Sequence, residues 1–191
     1  MTDSIFSSVP MRTTVAIAAL TMGSVLFSKG FTCAVPVAAF AAIASLSFGR
    51  RTALLATALV WFVNQVIGFA FMHYPTDPAT LAWGGALGAI ALLTCMTAGY
   101  CSRRLPGHAG ACVVLLAAFF TYEMSLRAID AALGTAALHV GLSNLARIAS
   151  LNALAFGGFW VLKLIAMSTV WGRRLFRGPN NHLAAWVRSG P

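Results

Sequence analysis

The sequence predicts an all-α polytopic membrane helix bundle, and three observations predict it. Of 191 residues, 59% are hydrophobic and only 9% are charged, against roughly 25% charged in ordinary soluble domains. The apolar stretches each approach the roughly 20 residues that cross a hydrocarbon core as helix. Arginine pairs recur after every second stretch, as cytoplasmic membrane loops require.

The expected spans are 13–29, 31–48, 52–73, 79–101, 110–130 and 149–171, followed by a basic tail over 172–191. Together they make a single integral membrane domain covering 1–191. Their breaks carry Gly and Pro punctuation: Lys29-Gly30, Gly49-Arg50-Arg51, Tyr74 to Pro78, and Ser102 to His108. The first span has signal-like length, but the second follows almost at once. Its removal would put the arginine pairs on the wrong side for the rest, so it reads as a span and not a cleaved leader. Arginines 50–51, 103–104 and 173–174 put both termini in the cytoplasm and Lys29, Asp77 and Asp130 outside, in a cell inner membrane. Helix, outer turn, helix and Arg-Arg recur three times, yet the hairpins share no residue-by-residue similarity, so the pattern is one of topology and not of internal repetition.

The formal net charge is +9, from 13 Lys+Arg against 4 Asp+Glu. Nine of the basic residues (Arg12, Arg50, Arg51, Arg103, Arg104, Arg173, Arg174, Arg177 and Arg188) lie at the N-terminus, in short loops or in the tail. That distribution points to a lipid bilayer with anionic headgroups as partner and away from nucleic acid. Gly84, Gly85 and Gly88, and separately Ala38 with Ala42, form small-residue faces that let helices approach closely, either within the bundle or against a partner membrane subunit. Residues 131–148 are too short and polar to cross. Their stretch near 136–147 reads equally as a short interfacial helix, with Leu138, Leu142 and Leu145 on one face, or as a loop with a helical turn.

Polar groups within spans are costly and are the first place to seek function. Glu123, Arg127 and Asp130 share one face of the fifth span at spacings of four and three, an acid-base-acid ladder with Tyr122 beside it. Asn64 and Gln65 on the third span lie at comparable depth, roughly 20 Å from the arginine side at 1.5 Å per residue. The ladder reads either as a self-neutralising ion network or as an outward-facing cavity for a small polar metabolite. In the second reading Glu123 binds a cationic group or a proton, Arg127 holds a carboxylate or phosphate, and Asn64 and Gln65 orient the ligand. Lys163, within roughly 12 Å of the cytoplasmic end, reads as a snorkelling contact to the interface.

No cofactor is expected. Cys33, Cys95, Cys101 and Cys112 lack CxxC spacing and read as small buried apolar residues. His73 and His139 fall outside and His108 and His182 inside, so no pair clamps a haem; an outer metal site of His73, His139 and Asp77 is a minor reading. HExxH, GxSxG, phosphate-loop and aspartate-rich transferase motifs are missing, and the chain reads as non-catalytic. The plan of about 190 residues in six helices, with both ends inside and a polar outer site, is similar to that of the substrate-binding subunits of energy-coupling-factor vitamin transporters. The likeness is one of plan, carried by no residue motif. It implies capture of a small molecule from outside with energy supplied by partner subunits. The leading reading is therefore a small-molecule transporter or its substrate-binding membrane subunit; the rival is a non-catalytic accessory or assembly subunit of a larger membrane complex.

Overall fold

The computed structural model describes Ala18, Met22, Gly23 and residues 36–105, 107–133 and 142–168. The described residues are all-helical, with no strand among them: α1 (Val37–Ser47), α2 (Arg50–Phe71), α3 (Pro78–Arg104), α4 (Gly107–Leu133) and α5 (Leu142–Ser168). α2, α3, α4 and α5 are long and apolar enough to cross a membrane. The expected span 13–29 falls outside the described residues, save that Ala18, Met22 and Gly23 are helical.

α1 is the hub. Its 11 residues cover about half of a hydrocarbon core at 1.5 Å each, and Pro36 stands at its N-cap, where a missing N–H costs nothing. Ala38, Ala39, Ala41, Ala42 and Ala44 are almost wholly buried, as are Phe40 and Ile43. A helix apolar on every side must be enclosed, and small side chains make it thin enough for several neighbours to reach it. α2, α3, α4 and α5 all pack on it, while α2 against α3 and α3 against α4 complete an arc. The Ala38–Ala42 face is thus an intramolecular one. Phe159 of α5 meets Phe40 edge-on at 5.2 Å, and its ring also lies where a Cβ on Gly23 would be, 2.5 Å away.

Several element ends differ from expectation. α2 stops at Phe71, and His73, expected in the span, takes a left-handed φ of 55°. The Tyr74 ring then folds back over α2, so close that a Cβ on Gly68 would stand 2.8 Å from it. α4 continues past Asp130 to Leu133 and α5 begins at Leu142. Residues 142–148 are therefore the opening turns of a long helix instead of a separate interfacial element or a loop; residues 134–141 lie outside the described set. Nothing between Leu142 and Leu151 breaks a helix, and the polar Ser143, Asn144 and Arg147 are exposed while Leu145 and Ile148 are half-buried in phase with buried Asn152 and Ala155.

α3 has the best-defined start. Asp77 caps it, accepting from the Ala79 and Thr80 N–H groups at 3.0 and 3.1 Å and from the Thr80 hydroxyl at 2.6 Å, with Pro78 in the first turn. The Thr80 hydroxyl and N–H hold the exposed Asp77 carboxyl below its ordinary pKa. The folded state thus binds that proton less tightly than the unfolded state. The cap is at full strength above the ordinary carboxylate range and is lost as pH falls through the lowered value. Asp77→Ala should lower the detergent melting temperature at neutral pH, and the gap from wild type should close on acidification; a gap that persisted in acid would show that the cap charge is not what matters.

The Gly84–Gly88 face is filled from within the chain. The Trp61 indole N–H donates to the Gly84 carbonyl at 2.9 Å, and a Cβ on Gly88 would lie 2.6 Å from the Trp61 ring. Gly84 meets Gln65 in the same way, at 2.8 Å, whereas Gly85 has nothing within 4 Å. Gly88→Leu should therefore cost about 1–3 kcal/mol of stability by overpacking α2 against α3, and Gly85→Leu should be neutral in the same melting assay. Equal effects would mean that this helix pair does not set the stability.

Candidate functional site

Two of the buried polar side chains in α5 serve α1. A helix that ends inside an apolar bundle leaves N–H groups at its start and carbonyls at its end without partners. Asn152 Oδ1 accepts from the Ala39 N–H at 3.0 Å, its Nδ2 donating to the Ile148 carbonyl at 3.0 Å. Lys163 Nζ donates to the Leu46 carbonyl at 2.8 Å and lies 5.1 Å from the Trp160 ring centre. One helix thus caps both ends of its parallel neighbour, acceptor at the positive end and ammonium at the negative end, as the helix dipole favours. This corrects the reading of Lys163 as a snorkelling residue: it is 4% exposed and turned inward, because the C-terminal carbonyls of a short helix lie within its reach.

The six residues marked in the sequence lie on two helices that are not packing neighbours. Asn64 and Gln65 are half-buried on α2; Asn64 donates to the Val60 carbonyl at 2.8 Å, and Gln65 faces Gly84 on α3. Tyr122, Glu123, Arg127 and Asp130 lie on α4, and α1 and α3 stand between α2 and α4. Asn64 and Gln65 therefore belong to the α2–α3 seam, whereas Tyr122 packs against the core around α1.

On α4 the ladder is inward-facing. Glu123 is 9% exposed and Asp130 is 8% exposed, while Arg127 is half-buried. Arg127 stands one helical turn on from Glu123, on the same face of α4. Glu123 Oε1 is nonetheless buried with no hydrogen-bond partner among the described residues. Buried acceptors are ordinarily satisfied, and a closed ion network would satisfy this one. By contrast, buried Thr57 and Thr94 bond their own preceding turns at 2.9 and 2.8 Å. Cys95 is buried, Cys101 half-buried and Cys112 exposed, all as free thiols, so the buried apolar reading does not extend to Cys112. Cys33, His139 and His182 lie outside the described residues.

Sequence reasoning missed the capping roles of Asn152 and Lys163. The available signal was Pro36, which divides the run 31–48 and announces a helix start at mid-span. Comparison with protein-family models, curated proteins and solved structures gives no match. The class that the structure defines is that of an all-helical chain with several membrane-length apolar helices, fitting a multi-pass integral membrane protein.

Removing either cap should leave a backbone group unsatisfied in the core. Lys163→Met and Asn152→Leu should each cost about 1–3 kcal/mol and, acting at separate ends of α1, should add nearly independently in the double variant. Melting the three variants in detergent checks this; near-wild-type stability for Lys163→Met would show that its bond to Leu46 is dispensable.

Proposed function

We propose that this chain is an inner-membrane transport protein, or the substrate-binding membrane subunit of one, and that Glu123 is the proton- or cation-binding group of its site. The orientation in this reading follows the arginine ends of α2 and α3, which face the cytoplasm, so the ladder on α4 lies in the outer half. The observation that carries the proposal is the unpartnered Glu123 Oε1, nine-tenths buried in an apolar bundle. An intramembrane carboxylate is expensive to maintain, and one with an unused acceptor is poised to take a proton or a cationic group. Arg127 supplies a counter-charge for an anionic part of a small polar metabolite. Asn64 and Gln65, at comparable depth across α3, line a different seam and are left to position α2.

The rival reading, an accessory subunit of a larger complex, is weakened by the Gly84–Gly88 face being occupied by Trp61 and Gln65. The two readings separate on purification in mild detergent followed by native mass spectrometry. Wild type should retain a small molecule that Glu123→Gln loses while its folded yield is unchanged. A hydrophobic carbodiimide, which adds to protonated carboxyls in apolar surroundings, should label Glu123 in wild type. Copurification of a partner membrane subunit, unaffected by Glu123→Gln and with no carbodiimide adduct at Glu123, would overturn the proposal in favour of the accessory role.

A further inference from the structure

A second polar site lies at the opposite end of the helices. A cavity of about 250 Å³ opens between the end of α1, the start of α2 and the end of α3, and both Arg50 and Arg103 line it. The described acids are Asp77 at the far end of α3 and Glu123 and Asp130 in the far half of α4. No described carboxylate therefore neutralises the guanidinium groups here. Arg103, exposed like Arg50, passes beside Gly99, where a Cβ would be in ordinary contact with Arg103 Nη1 at 3.6 Å and with Ser45 Oγ at 3.8 Å. Ser45 and Ser102 already donate to the Cys95 and Gly99 carbonyls, each at 3.1 Å, so the two arginines, which carry the charge, and the Tyr100 hydroxyl remain as donors in the lining. α2 begins beside them with Gly49 at its N-cap and no side-chain cap, adding the positive end of a helix dipole. Phe48, Leu54 and Met96 form an apolar wall.

We propose that this cavity binds a phosphate group, with Arg50 and Arg103 as its two clamps, and that the apolar wall receives the glycerol and upper acyl portion of an anionic phospholipid. Two guanidinium groups from different helices, with no acid among the described residues to pair them, match a phosphate in charge and in fork geometry. The site does not depend on the proposed role of Glu123.

The test uses the full-length protein in neutral detergent, titrated with phosphatidylglycerol, phosphatidylcholine or inorganic phosphate and read by native mass spectrometry. Wild type should prefer phosphatidylglycerol over phosphatidylcholine. Arg50→Gln with Arg103→Gln should weaken phosphatidylglycerol binding about 10–30-fold, as expected for loss of two charged contacts. Arg51→Gln with Arg104→Gln removes the same charge from side chains that do not themselves line the cavity, Arg104 lying over the ring of the lining Tyr100 at 4.4 Å, and should weaken binding clearly less than the first pair does. Gly99→Met, which keeps all four arginines and fills the cavity, should reproduce the loss should the first pair impair folding. Competition by millimolar inorganic phosphate would identify a water-soluble phosphate as the source, and its failure to compete a lipid. Equal losses in the two arginine pairs, or unchanged binding in Gly99→Met, would overturn the proposal by showing that only surface charge attracts the lipid.

Discussion

The structure depends on satisfying the two ends of a short helix within an apolar bundle. α1 is buried along most of its length, and in such surroundings an unmet backbone group is costly. Asn152 and Lys163 meet that requirement from a single neighbour. Both are polar side chains in an otherwise apolar helix, and both are explained by what α1 lacks. The alanines of α1 allow the other four helices to reach it, so the same sequence feature that buries the helix makes its caps necessary.

Charge is sorted along the bundle axis. Arg50, Arg51, Arg103 and Arg104 gather where α1 and α3 end and α2 begins, whereas the described acids Asp77, Glu123 and Asp130 occupy the other half, together with Arg127 and Arg147. Each half holds groups without a hydrogen-bond partner among the described residues. At the acidic half this is the buried Glu123 oxygen, and at the basic half it is the pair Arg50 and Arg103 around their cavity. The two places differ physically: the first is an acceptor shielded by packing, the second a set of donors open at the end of the bundle.

The helical class, the positions of α2 through α4 to within a few residues, and the common side of the first two arginine pairs were legible in the sequence. Apolar run length and arginine spacing are local signals, and they survive into the fold: Arg50 and Arg103, far apart in sequence, line one cavity. The inward turn of the Glu123, Arg127 and Asp130 face was partly legible from helical spacing, but spacing on one helix does not say which other helix it meets. That is why Asn64 and Gln65, at the right depth, belong to a seam with α3 instead. The start of α5 was misplaced because polar residues at 143–150 resemble a loop in composition, although nothing there stops a helix.

By itself the sequence determined that the chain is helical, with apolar helices long enough to cross a membrane, and where along the chain its charges fall, because the cost of burying charge and backbone acts residue by residue along the chain. Only the tertiary structure decided which helix lies at the centre, that Lys163 turns inward to Leu46, that Trp61 and Gln65 occupy the Gly84–Gly88 face, and that Glu123 keeps an unmet oxygen. Each of these depends on a partner distant in sequence, and helix neighbours in a bundle are chosen by packing of shape against shape.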